Sequence, residues 1–208
     1  MKEEDIAAIH GLGVAKAKIL LSKWEIKSVD DLKKPHILSS LPLETQYWLK
    51  YKPLEKIPRK LINRFERKFA QHMRGKWCIA GSYRRKKSFS RDIDILTTTP
   101  IQIVLKRLLS FDPKVYSSGP EKASLLINFE EIWIKLDIMH TSDDEWGPFL
   151  LYLTGSKEHN ILMRHKAKIN GMLLNQKGLF KGTIKVPIKT EQDIFNALKM
   201  KYKTPENR

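Results

Sequence analysis

Cysteine is almost absent: Cys78 is the single one in 208 residues. No internal disulfide can form, and a reducing, intracellular setting is the expectation. No run approaches the roughly 18 consecutive apolar residues of a membrane-spanning helix, and the opening Lys2-Glu3-Glu4-Asp5 lacks the basic-then-apolar order of a secretory leader. Glycine and proline, ten of each, are scattered as punctuation rather than gathered into a linker, and no internal repeat is visible. The six histidines are dispersed, with no Cys/His spacing that suits zinc. Acids are scarce as well. Asp and Glu number 23 against 39 Lys and Arg, a formal net charge of +16. What remains is a soluble globular chain, long enough for one large domain or two small ones, with a polyanionic partner.

The charge is unevenly placed. Residues 1–75 carry a net +7, residues 76–150 a net +1 and residues 151–208 a net +8, so two basic flanks bracket a near-neutral centre that holds most of its acids in reserve. Hydrophobic patterning divides the chain at similar points. Residues 1–75 read as helical, with a capping-like Ser28-Val29-Asp30-Asp31 and a helix that opens at Pro58, recurs at Leu61, Ile62, Phe65, Phe69 and Met73, and stops at Gly75. Short β-rich runs follow at Trp77–Ala80, Ile93–Thr97, Ser124–Phe129 and Ile132–Met139, with a helical pattern at Ile101–Leu109. From about Trp146 the pattern is helical through Ala167, then passes through strand-like Met172–Leu174 and Leu179–Phe180 to a capped helix opening at Thr190. The expected class is α+β, with regions 1–75, 76–145 and 146–208.

The most informative residues are Asp92-Ile93-Asp94. Side chains alternate along a strand, so both carboxylates share one face. Like charges that close repel unless a cation lies between them, which suits a divalent metal. Asp137, in Ile134-Lys135-Leu136-Asp137-Ile138-Met139, is a third acid inside an apolar strand, where burial is costly without a partner. Upstream, Ile79-Ala80-Gly81-Ser82 breaks a strand at a glycine that admits close backbone approach. A Gly-Ser turn offers N–H groups and a hydroxyl to a phosphate, and Arg84, Arg85, Lys86 and Lys87 follow with charge to neutralise a triphosphate.

Gly-Ser, a nine-residue gap, Asp-x-Asp and a later strand Asp resemble the nucleotidyltransferase signature. Gly81-Ser82-Tyr83-Arg84-Arg85 through Asp92-Ile93-Asp94 resembles more narrowly the family X DNA polymerases of the polymerase beta type. The resemblance implies a nucleotidyltransferase palm with a mixed sheet, flanked by helical fingers-like residues 1–75 and a small α/β thumb-like region at 146–208. It implies that Asp92, Asp94 and Asp137 are catalytic and hold two Mg2+ ions, with Mn2+ as a substitute, and that Gly81, Ser82, Arg85 and Ser90 bind the nucleotide. Ile9-His10-Gly11-Leu12-Gly13-Val14-Ala15-Lys16 resembles a helix-hairpin-helix. By that resemblance Gly11, Gly13 and Lys16 grip the primer strand, and the carbonyls of Ala7, Ile9 and Leu12 hold a monovalent cation. Tyr152-Leu153-Thr154-Gly155-Ser156 and the helix with Asn160 and Arg164 are similar to the nucleotide-selecting segment. Tyr152 then lies beside the sugar, Asn160 faces the base edge, Gly155 lines the pocket and Arg164 contacts the template.

The sequence departs from the family pattern at three points. The N-terminal lyase domain has no room, Leu153 replaces a usual aromatic, and Lys56 and Lys135 stand where polymerase beta carries arginines. The implied activity is template-directed addition of deoxynucleoside triphosphates to a primer 3′-hydroxyl on primer-template or gapped DNA, filling short gaps in base excision repair. Template-independent terminal transfer and a non-catalytic DNA-binding scaffold are the alternatives. The resemblance further implies a monomer without membrane association, a ligase as the kind of repair partner, and a nuclear location. The small viral members share the trimmed palm, and for a viral source the location is the cytoplasm or a viral factory.

Overall fold

A computed structural model describes residues 2–208. The N-terminal part is a cluster of short helices, α1 (Glu3–Ala7), α2 (Val14–Lys23), α3 (Pro35–Leu38) and α4 (Leu43–Tyr51). Ile6, Leu12, Ala17, Leu20, Ile26, Leu32 and Ile37 close its core. Gly11 turns the chain between α1 and α2 at φ +77°, where a Cβ would stand 2.6 Å from the Thr45 hydroxyl oxygen. The capping signal at Ser28–Asp31 forms: the Asp31 carboxylate accepts the Lys27 and Ser28 N–H groups at 2.9 and 3.0 Å. It caps only a short 3-10 turn, Asp31–Lys33, because Pro35 removes a donor and restarts the chain as α3.

The expectation that residues 1–75 are wholly helical is corrected by a strand, β1 (Ile57–Pro58). Two residues pairing with a distant partner carry no periodicity that a sequence pattern can reveal. After it comes α5 (Arg59–His72), whose Leu61, Ile62, Phe65 and Phe69 recur at helical spacing and are buried against the central sheet, not against the N-terminal cluster. Each buried aromatic of this kind contributes about 1.5–3 kcal/mol. The opposite face repeats Lys60, Arg64 and Lys68 at every fourth position, like-charge pairs that each cost about 0.2–0.5 kcal/mol in a helix.

The centre comprises β2 (Trp77–Ile79), α6 (Gly81–Arg84), β3 (Phe89–Ser90), β4 (Ile93–Thr97), α7 (Ile101–Arg107), β5 (Lys114–Ser118), β6 (Lys122–Phe129) and β7 (Ile132–His140). The sheet order is β2-β4-β7-β6-β5, with β4 and β7 parallel and the other neighbours antiparallel; β3 pairs with β1 separately. Sequence patterning misses β5. Its Lys114-Val115-Tyr116-Ser117-Ser118 alternates poorly at a half-exposed edge, and a bulge interrupts its pairing between Val115 and Ser117. Ile93, Ile95, Ala123, Leu125, Ile127, Ile134, Leu136 and Ile138 form one dry face with α5 and α7. The alternating residues, acids among them, take the other face.

The last part holds α8 (Trp146–Thr154), α9 (Lys157–Ile169), β8 (Leu173–Asn175), β9 (Gly178–Lys181), β10 (Ile184–Lys185) and α10 (Glu191–Ala197). The expected continuous helix from Trp146 to Ala167 is broken at Gly155 (φ +67°), and Ser156 caps the second half by accepting the His159 N–H. Thr190 caps α10 as its sequence implies, with Asp193 closing the box. No helix among the described residues is long and apolar enough to cross a membrane.

Candidate active site

The parallel pairing of β4 with β7 sets Asp94 directly opposite Asp137, and Asp92 lies two residues back on the same face. Three acids on one sheet face leave a charge problem that the structure only partly relieves. Asp94 is the most deeply placed. Its carboxyl is pushed up to about 7 by burial first, then by the negative charges of Asp92 and Asp137. Asp92 is also raised by burial, with Lys135 opposing the shift and Asp137 reinforcing it. Asp137 is oriented by Ser124 on the adjacent strand, whose hydroxyl donates to it at 2.6 Å, while the Lys122 ammonium stands 3.3 Å from its other oxygen. No three Asp, Glu, His or Cys side chains among the described residues close into a cage on their own. The donor set still fits a hard divalent cation: the oxygens share a face, their mutual repulsion is unpaid, and the nearby lysine meets only the outermost acid.

Gly81 begins α6 beside these acids. At φ +54° it adopts a conformation that L side chains avoid, and a Cβ there would lie 1.9 Å from an Asp94 carboxylate oxygen and 2.9 Å from its Cγ. Glycine is therefore demanded twice, by backbone and by space. Gly81→Ala is expected to lower nucleotide turnover at least tenfold, because Asp94 must swing out of line; an unchanged kcat would show that the carboxylate relaxes freely.

A cleft of about 860 Å³ opens over this face. Its walls bring together Gly81, Ser82, Arg85, Ser90, Asp92, Asp94, Tyr152, Gly155, Asn160 and Arg164. Asp137 stands behind Asp94, and Lys56, Met139, Leu153 and Lys157 complete parts of the wall. Ser82 and Ser90 share a hydroxyl hydrogen bond of 2.7 Å. Arg85 donates through Nη1 to the Thr154 carbonyl at 2.5 Å, and its Nε is buried without a partner among the described residues. Asn160 donates to the Tyr152 carbonyl at 2.7 Å, and the Arg164 guanidinium lies 5.5 Å from the Tyr152 ring centre.

The basic run after Gly81 is not the uniform anion cradle that its composition suggests. Arg84 turns away from the cleft and forms a two-point ion pair with Glu191, at 2.6 and 2.9 Å, while donating to the Thr154 hydroxyl at 2.6 Å. Lys86 pairs with Glu206 at 3.1 Å. Only Arg85 of the run lines the cleft. Backbone direction decides this, since consecutive helical residues point about 100° apart.

Gly11, Gly13 and Lys16 lie away from the main cleft, on the hairpin between α1 and α2. Lys16 donates back to the Gly11 carbonyl at 3.4 Å. A Cβ on Gly13 would meet nothing within 4 Å among the described residues, so internal packing does not require glycine there. The Ile9 carbonyl accepts the Leu12 N–H at 2.9 Å. A second cleft of about 630 Å³ runs from Ala8, Ile9 and His10 to Asp92 and shares Lys56 and Arg91 with the first.

Sequence reasoning missed the residues that join hairpin to sheet. His10 Nε2 lies 2.7 Å from the Glu44 carboxylate and its ring stacks on Trp48, with centres 3.9 Å apart. The same Glu44 oxygen lies 3.5 Å from the Lys135 ammonium, two residues before Asp137. These contacts span up to 91 residues of chain, and no local pattern announces them. Ser124 and Lys122 were missed for a similar reason: their role depends on strand register.

Comparison with known proteins yields concordant likenesses. The family model of the DNA polymerase beta thumb matches residues 149–208. Repair DNA polymerase X of African swine fever virus is 32% identical over 138 residues, covering 62% of this chain and 78% of the viral protein. DNA polymerase lambda of Rattus norvegicus is 29% identical over an alignment that covers 96% of this chain and 41% of the rat protein. Among solved structures, the ternary primer-template complex of Leishmania infantum polymerase beta superposes with a TM-score of 0.86 at 26% identity, covering all of this chain and 99% of that one.

Proposed function

The chain belongs to the family X DNA polymerases, and from that premise we propose that its cleft extends a primer 3′ end on gapped or primer-template DNA using deoxynucleoside triphosphates. The observation that carries this reading is the pairing of Asp94 with Asp137 across β4 and β7, beside a glycine that leaves no side chain between the backbone and the acids.

Asp92, Asp94 and Asp137 would hold the magnesium ions, or manganese in their place, and such ions lower the pKa of the attacking hydroxyl and offset charge on the phosphates. The remaining roles fall to this chain's own groups. Ser82, Ser90 and Arg85 receive the triphosphate, Arg85 by exchanging part of its hold on Thr154 for a phosphate oxygen. Gly81 lets the backbone approach. Tyr152 and Gly155 border the sugar, Asn160 meets the base edge and Arg164 the template strand. Ser124 aims Asp137, and burial among apolar neighbours keeps the acids from being solvated. At the hairpin, Gly11, Gly13 and Lys16 hold the primer backbone, with a monovalent cation on the carbonyls of Ala7, Ile9 and Leu12. The second cleft supplies the primer's path from hairpin to acids. Residues 1–75, 76–145 and 146–208 act as fingers, palm and thumb, with α5 structurally part of the palm layer.

Primer extension on a one-nucleotide gap tests the reading. Incorporation that follows the templating base and needs magnesium or manganese is the expected result. Incorporation on single-stranded primer at the same rate would replace it with terminal transfer, and none on any substrate would refute it. Binding should be steeply salt-dependent and nearly blind to sequence, since the flanks offer phosphate contacts rather than a base-reading helix. A log–log plot of affinity against salt checks this, and a slope near zero would contradict it.

A further inference from the structure

Helix α5 covers the sheet on the side opposite the three acids. Its outward residues Lys60, Arg64, Arg67, Lys68 and Gln71 are exposed and continue past the helix end to exposed Arg74. Arg64 is matched by Glu130 at 2.6 Å, whereas Lys60, Arg67, Lys68 and Arg74 have no ion pair among the described residues. Glu66, the single acid between Arg59 and Arg74, is engaged by the Tyr83 hydroxyl at 2.6 Å on the inner side.

This arrangement is unfavourable for the isolated chain in two ways. Basic residues repeat at i, i+4 on one face, where opposite charges would support the helix. The first turn carries Arg59 and Lys60 and no acid, so positive side chains sit at the positive end of the helix dipole. An exposed helix shaped by solvation alone interleaves acids with bases. An anion laid along the stripe relieves both conflicts at once. Lys60 to Lys68 spans about 12 Å at 1.5 Å per residue, a length over which duplex DNA presents about seven phosphates counting both strands.

We propose that the outer face of α5 is a second DNA-binding surface, gripping the phosphate backbone of a duplex segment other than the one whose 3′ end lies at the acids. It lies across the sheet from the catalytic cleft, so both can be occupied together, and a chain so equipped holds two DNA segments side by side.

The test is the triple variant Lys60→Gln/Arg67→Gln/Lys68→Gln, in a side chain type that keeps helix propensity. Stoichiometry of short-duplex binding at low salt and the salt slope are compared with wild type and with a charge-matched control, Lys27→Gln/Lys181→Gln/Lys199→Gln. Wild type and control are expected to bind two duplexes per chain. The α5 variant should bind one, with a log–log salt slope shallower by up to about 2.7 if each side chain neutralises one phosphate at about 0.9 per contact. Its one-nucleotide gap filling should stay within twofold. Unchanged stoichiometry and slope would overturn the proposal, as would a loss shared equally by the control. Loss of polyglutamate binding with DNA binding intact would also overturn it, by assigning the face to an acidic protein. Gap filling by wild type is scored separately, so failure of the polymerase reading is distinguishable from failure of this one.

Discussion

Asp94→Asn is expected to abolish nucleotide incorporation and, in the same protein, to raise its resistance to melting. The activity loss should reach at least about a thousandfold in kcat, the upper range seen when a preorganised group facing the reacting charge is removed. Duplex affinity should stay within a few-fold, because the basic flanks hold DNA and Asp94 does not. The stability gain follows from the sign of the carboxyl shift. Burial and the neighbouring Asp92 and Asp137 raise Asp94 from 3.8 to about 7, so the folded chain keeps a proton that the unfolded chain releases. Stability then falls as pH rises from about 4 to about 7, and above that window the native state carries the full cost. A shift of roughly three units corresponds to at most about 4 kcal/mol. Asn lacks the charge. Thermal melts without divalent ions should show the variant above wild type at about pH 8, with the gap closing near pH 4. Coincident melts at both pH values would show that Asp94 is not held in conflict.

The second large effect lies away from the cleft. Glu191 is 7% exposed, and its carboxylate is bonded by Arg84 and by Arg208, at 2.5 Å in the latter case. The Arg208 side chain is fully covered, lying near the Phe195 and Tyr202 rings. Burial alone would raise the Glu191 carboxyl, but the bonds from both guanidinium groups hold it below its ordinary value. Glu191→Ala should therefore destabilise the protein by about 3–5 kcal/mol, since two covered cations lose their counter-charge. For a chain of this size the melting temperature should fall on the order of 10 °C. The exposed pair Arg64–Glu130 provides the contrast: Glu130→Ala should cost no more than about 1 kcal/mol. Equal losses for the two variants would refute the role of burial. Activity should drop with Glu191 as well, because Arg84 also donates to Thr154, whose carbonyl steadies Arg85.

Strand β4 was legible to the residue, since Ile93, Ile95 and Leu96 alternate with acids and Pro100 starts the next helix. The acids at 92 and 94 follow from period two alone. Asp137 could be named as a candidate because an acid in an apolar strand is conspicuous, but its partner across the sheet could not be read, as register is a tertiary property. The same limit hid Ser124. Arg84 illustrates a different failure. Composition presented it as one of four equivalent cations, and only the turn of α6 sends it to Glu191 while Arg85 enters the cleft. Glu191 itself reads as an ordinary first-turn acid of α10, and nothing nearby in sequence signals that two arginines cover it. The strands β1, β3 and β5 were missed because they are short, or bulged at an edge, and draw their definition from partners far along the chain.

The parallel join between β4 and β7 also sets an order of events during folding. Hairpin β6–β7 can close locally, but β4 must wait for residues 98–131, which include α7, β5 and β6, to be traversed before β7 can dock beside it. Closing so long a loop is entropically slow, and non-local pairings of this kind dominate folding times. Asp94 and Asp137 thus meet only when the sheet is nearly complete. A chain still emerging from synthesis holds its acids apart, in separate segments, and gains the capacity to concentrate a divalent ion in the same step that makes it native.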